Sequence, residues 1–178
     1  MIKAYKNILP AILAISCFVM LTILSCNSND NNCLCTGYGI CNNGTCICQQ
    51  GYAGAQCQTL IRGQYTGVWV CTQTCNGAAS LGLGNSGSFL VNIDSTTQSR
   101  LQVQISSFSP HYTTPLISFV TLDSLIIVPQ VMPNSDTVQG WATYKSQGST
   151  YGEHGDILLT LIVNNHGLSD TCIIAGNK

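Results

Sequence analysis

Apolar and polar residues alternate with a period of two along much of the chain beyond residue 64. Leu101, Val103 and Ile105 are interleaved with Gln102, Gln104 and Ser106, and Phe89, Val91 and Ile93 with Ser88, Asn92 and Asp94. That is the mark of strands with one face buried. Further runs of strand type cover about 65–75, 116–122, 125–131, 137–144, 157–164 and 169–175. Breakers fall between them: Asn76-Gly77, Pro110, Pro115, Pro133-Asn134, Gly148, Gly152, Gly155 and Asn164-Asn165-His166-Gly167. No window carries a helical period. The pattern predicts an all-β domain over 64–178, an antiparallel β-barrel or β-sandwich of about eight strands, long enough to build its own core.

The start of the chain reads differently. Lys3 and Lys6 precede an apolar run from Ile8 to Leu24, the charged and hydrophobic regions of a secretory signal. The run is short of the roughly 20 residues of a spanning helix and is interrupted by Pro10. It ends at Ile23-Leu24-Ser25-Cys26, before the polar tract "NSNDNN". This ending resembles the lipobox of bacterial lipoproteins. The resemblance implies that 1–25 is a signal peptide, that Cys26 becomes the lipidated N-terminus, and that 26–32 is a polar linker. Two or three acyl chains, at about 0.8 kcal/mol per buried methylene, would hold the mature chain on a membrane without crossing it. The expected location is the cell envelope, on a bacterial membrane and by expectation the outer one.

Composition fits export. Only 7% of residues are charged, and Arg62, Arg100, Lys145 and Lys178 face seven acids once the signal is gone, a net charge near −3. Nucleic acid is therefore not an expected partner, because binding it requires a basic surface. Outside the cytoplasm disulfides persist, so the eleven cysteines can be counted as bridges.

Six of them lie in "CLCTGYGICNNGTCICQQGYAGAQC", residues 33–57. An even set in a short exported segment reads as a disulfide framework, with fifteen connectivities open. Zinc sites favour paired C-x2-4-C ligands around a longer spacer, which this spacing lacks, and no metal or other cofactor is expected. So short a segment cannot offset its backbone entropy with apolar burial. Cross-links take the place of a core.

Within it, Cys46-Ile47-Cys48-Gln49-Gln50-Gly51-Tyr52-Ala53-Gly54-Ala55-Gln56-Cys57 resembles the second half of an EGF-like domain, and Gly39-Ile40-Cys41 the G-x-C before its third cysteine. The resemblance implies an EGF-like domain over 33–57 with the pairs Cys33–Cys41, Cys35–Cys46 and Cys48–Cys57. The first loop, with Leu34 alone between Cys33 and Cys35, is shorter than the family's. Calcium-binding members carry Glu or Gln immediately before the first cysteine and a further Asp or Asn with an aromatic between the third and fourth; here Asn32 precedes Cys33, the four residues between Cys41 and Cys46 leave no room for the second element, and no calcium is expected. A rigid spacer is the expected role, ahead of direct ligand recognition by the module. The domain is expected to fold separately from the β domain, with the boundary at 58–63.

Gly67-Val68-Trp69 resembles the G-x-W that opens lipocalin and avidin-like barrels. In lipocalins an Arg near the end of the last strand stacks on that Trp, whereas 169–175 here holds none. More of the chain resembles exported bacterial lipoproteins in which an EGF-like module precedes a small β domain with one cysteine after the first strand and another in the last. Cys71 and Cys75 share the first predicted strand, roughly 13 Å apart at about 3.3 Å per residue, too far for a bridge. Cys172 in the last strand can bridge only one of them. Cys75, at the strand end beside Asn76-Gly77 and at the lipoprotein group's position, is the expected partner, with Cys71 a buried free thiol.

Chemistry is sparse. Glu153, His154 and Asp156 share a glycine-rich loop, with His111 and His166 on other predicted loops; a solvated hairpin loop predicts the same residues. No G-x-S-x-G or S-x-x-K occurs, and no enzyme is expected. Two functions remain. One is a monomeric interaction or structural module, an EGF-like spacer displaying a β domain to a protein or glycan partner. The other is small-ligand or glycan binding in a barrel cavity lined by Trp69, Trp141, Tyr144 and Tyr151.

Overall fold

The computed structural model describes residues 33–77, 83–85, 87–147 and 154–178. Cys26, Tyr151 and Glu153 lie outside them.

The cysteine-rich segment holds two small hairpins. Strands β1 (Gly39–Asn42) and β2 (Thr45–Cys48) pair in register Asn42↔Thr45. The turn between them is Asn43-Gly44, both at positive φ (48° and 77°), the type I′ geometry that Asn-Gly favours. Strands β3 (Tyr52–Ala53) and β4 (Thr59–Leu60) form the second hairpin. Three disulfides tie the segment: Cys33–Cys41, Cys35–Cys46 and Cys48–Cys57, the same pairs that the resemblance implied. The Tyr38 and Tyr52 rings stack at 4.0 Å.

Eight strands follow: β5 (Gly67–Gly77), β6 (Phe89–Ser95), β7 (Gln102–Ser106), β8 (Leu116–Val120), β9 (Leu125–Val131), β10 (Thr137–Ser146), β11 (Gly155–Asn165) and β12 (Leu168–Asn177). Each pairs antiparallel with the next, and β12 pairs back onto β5, which closes a barrel. Barrel, not sandwich, is the answer to the alternative that the alternation left open. Closure removes every sheet edge.

The polar–apolar parity decides what is inside. Val103, Ile105, Leu116, Leu125, Val138, Leu161, Val163 and Ile174 are all 0% exposed, while Gln104, Asn92 and Asp94 lie on the opposite face of their strands. The interior is apolar, whereas the lumen of a lipid-embedded barrel is polar; the outer face mixes these polar residues with exposed apolar ones such as Val68, Leu90 and Trp141.

Two local devices bend the sheet. At Gly140 an added Cβ would sit 2.0 Å from the Thr160 carbonyl oxygen, so only glycine lets β10 approach β11 this closely. In β9 the register slips between the pairs Gln130↔Val138 and Ile127↔Gly140, a bulge that contains Pro129. Proline has no N–H to give a ladder. The Gln130 side chain repairs the gap, accepting from Ile117 N and donating to Ile117 O, both at 2.8 Å.

The seam between the first and last strands is stapled by Cys75–Cys172, which are direct register partners. Cys71 is the buried free cysteine, placed opposite Gly176, which has no side chain to offer. Burial pushes its thiol up to about 11, partly opposed by a hydrogen bond from the backbone of Val91, so at neutral pH it is an inert thiol.

The predicted boundary at 58–63 is not an open linker. Thr59 and Leu60 belong to the second hairpin, and a 3-10 turn (Ile61–Gln64) inserts Ile61, 4% exposed, into the barrel core. Ile61 N also donates to Gly51 O at 2.9 Å, and Ala53 packs on the same core. A hydrophobic residue placed in the junction thus couples the two parts, which the change in cysteine density could not reveal.

Candidate functional site

Both barrel ends are shut. At the end next to the cysteine-rich segment, Trp69 is 0% exposed and its indole N–H donates to Tyr65 O at 2.8 Å. Lys178 Nζ lies 4.6 Å from the Trp69 ring centre and donates to Gln64 O at 3.2 Å and Thr66 O at 2.7 Å. A cation therefore does cover the G-x-W tryptophan, as a lysine beyond the last strand rather than an arginine within it. The register puts it there: Asn177 pairs with Val70, so the next residue falls opposite Trp69. Burial lowers the affinity of Lys178 for its proton.

At the far end, Leu83 is 0% exposed and Phe108 equally so. Ser109 Oγ donates to Leu83 O at 2.6 Å, and Asn85 Nδ2 donates to Gln73 Oε1 at 2.9 Å and Phe108 O at 2.7 Å. Beside them Tyr112 hydroxyl donates to Asp136 Oδ2 at 2.5 Å, which also accepts from Asn134 Nδ2 at 2.6 Å. Burial, then the hydrogen bond and charge of Asp136, push the Tyr112 phenol up to about 12.

The four residues expected to line a cavity do not converge. Trp69 and Tyr144 point inward and meet edge to face at 6.2 Å, with Tyr65 a third ring 6.1 Å from Tyr144; the three pack on each other, and Tyr144 also lines a groove over Gly176. Trp141 is 47% exposed and lies on the outer face. Its parity is opposite to that of Val138 and Ala142, both 0% exposed, a signal present in the sequence. Tyr151 falls outside the described residues.

The titratable groups are dispersed as well. His154 precedes β11 and His166 follows it, so they sit at opposite barrel ends. His166 and Gly167 form the tight β11–β12 turn, with φ of 46° and 83°, so turn geometry accounts for that position. Asp156 accepts from Gln147 Nε2 at 2.6 Å. His111 lies at the far end, stacked close over Gly84. Cys75, Asp170 and Cys172 lie near one another, as do Cys33, Cys35 and Cys46, but these sulfurs are bound in disulfides, and a metal ligand must be a free thiolate.

What remains is the exterior. Ile126 on β9 is the register partner of both Phe119 on β8 and Trp141 on β10, and all three are exposed. Around the barrel, a groove of about 570 Å³ crosses β10–β11–β12–β5 over Gly176. A second concavity, of about 810 Å³, lies at the junction of the two parts, where Arg62 and Arg100 meet the β6–β7 loop. Sequence reading singled out neither arginine, since they converge only once the 3-10 turn and that loop are folded. Comparison of the chain with protein-family models, curated proteins and solved structures finds no match.

Proposed function

We propose that this protein is an exported, lipid-anchored, non-enzymatic interaction module, in which an EGF-like spacer lifts a β-barrel off a bacterial membrane and partners bind to the outside of the barrel. The observation that carries this is the filled interior: eight inward side chains from β7 to β12 are 0% exposed, and both ends are plugged, so an internal ligand would have to displace packed core. Contiguous exposed apolar side chains such as Phe119, Ile126 and Trp141 are typical of binding surfaces. The lipobox-like ending at Cys26 supports the anchor, and four disulfides support an oxidising compartment.

The two tryptophans of the chain give the test, because one is inside and one outside. Trp69→Phe and Trp141→Phe variants each leave one emitter. Titration with apolar probes, fatty acids and a panel of glycans should alter Trp141 emission and leave Trp69 unchanged. A saturable one-to-one response at Trp69 alone would overturn the proposal in favour of an internal cavity.

A further inference from the structure

Two of the four cations of the chain beyond its first 25 residues converge at the junction concavity. Arg62 is fixed there by two backbone carbonyls: its Nη1 donates to Thr96 O at 3.1 Å and Ser99 O at 3.0 Å. Those bonds leave Nη2 and Nε of the guanidinium to meet a ligand. Arg100 is held by a different device, its guanidinium carbon 5.6 Å from the Tyr52 ring centre, while the other partner of that ring is Tyr38. Both charges are thus pre-positioned, which cuts the entropy lost on binding.

The rest of the lining is uncharged: Tyr52 and Leu60 from the second hairpin, and one polar loop. That loop runs from Ser95 to Ser99 and supplies hydroxyl and amide groups, and no carboxylate is among the lining residues. Asp94, next in the chain, accepts from Asn92 Nδ2 at 2.7 Å. Among the described residues neither arginine forms an ion pair. In a chain whose acids outnumber its cations, two unpaired, anchored guanidiniums above a hydroxyl-rich floor are a charge match for an anion that also carries many hydroxyls.

We infer that this concavity binds an acidic glycan, with a carboxylate or sulfate group held by Arg62 and Arg100 and sugar hydroxyls held by the 95–99 loop. This rests on the proposed interaction role and names its partner class. Guanidinium forks suit such anions. The hydroxyl and amide side chains of the 95–99 loop offer donors and acceptors to many sugar hydroxyls at once, which favours a sugar over an acidic peptide.

The test uses the chain from residue 26 onward, carrying Cys26→Ser with disulfides intact, and calorimetric titration at low salt. Probes are tetragalacturonate for carboxylate, a sulfated oligosaccharide for sulfate, a neutral oligosaccharide of equal length, and oligoglutamate. Saturable binding of one or both acidic sugars is expected, with the neutral sugar and the peptide inert. The stronger of the two acidic probes identifies the anion. Arg100→Gln and Arg62→Gln should each weaken binding about tenfold, the loss of one charged hydrogen bond. Because Arg62 also ties the loop, Arg100→Gln on the exposed side keeps the test decisive if the other variant fails to fold. Binding unchanged in Arg100→Gln, equal binding of the neutral sugar or the peptide, or no acidic-sugar binding would each overturn the inference. In any of these outcomes a Trp141 response to another partner would leave the interaction role standing.

Discussion

Removing the Cys75–Cys172 bridge by a double Cys→Ala substitution should cost this barrel a large part of its stability. The bridge spans 97 residues, and on chain entropy a loop of that length stabilises by about 4.7 kcal/mol. It also joins the seam where β12 pairs with β5, the pairing most distant in sequence and the last a meandering chain can make. Domains of this size carry roughly 5–15 kcal/mol in total. At about 4–5 °C per kcal/mol, the melting temperature should fall by roughly 19–24 °C. Alanine is the right replacement, because a serine hydroxyl could donate to the buried Asp170 Oδ1, which lacks a partner, and so offset part of the loss. Thermal unfolding followed by circular dichroism, with the three bridges of the cysteine-rich segment verified by mass mapping, gives the number. A fall below about 5 °C would refute the reasoning. So would a Cys71–Cys172 peptide in the non-reducing map of the unmodified protein.

Other outcomes follow from the same geometry. Lys178→Ala removes two donated hydrogen bonds and the cation over Trp69, so urea unfolding should show a loss of about 1–2 kcal/mol and Trp69 emission should shift to the red; an unchanged spectrum would contradict the cap. Ile61→Ala should destabilise the barrel by about 2–4 kcal/mol, and the barrel transition should move although the substitution lies in the junction. For Tyr112, whose phenol is raised from 10.0 to about 12, the folded state holds its proton more tightly than the unfolded. That stability is complete below pH 10 and is lost as pH rises toward 12. Urea midpoints across this range should fall less steeply in Tyr112→Phe, and an identical slope would exclude Tyr112 as the cause.

The strands were legible because a half-buried strand must alternate, and the predicted runs overlap all eight observed ones. Barrel closure was not legible. It depends on the β12–β5 register and on bends at Gly140 and Pro129, which local periodicity does not encode. The place of Trp141 was readable from the inward parity of Val138 and Ala142, but aromatic identity outweighed parity. Lys178 was missed because the covering cation was sought inside the last strand, and register carries the chain three residues further. The pairing of Arg62 with Arg100 depends on a turn and a loop remote in sequence. Such convergence is a property of the fold.

The central claim, an envelope protein tethered through Cys26 that presents its barrel exterior, is tested most directly in cells. Membrane and soluble fractions should be compared for the unaltered chain and for Cys26→Ser, with protease added to intact cells expressing each. The unaltered chain should sediment with membranes, carry acyl mass on Cys26 and lose its barrel epitope to external protease, and Cys26→Ser should move to the soluble fraction. Membrane retention of Cys26→Ser, or an unmodified Cys26 in the mature protein, would contradict the account.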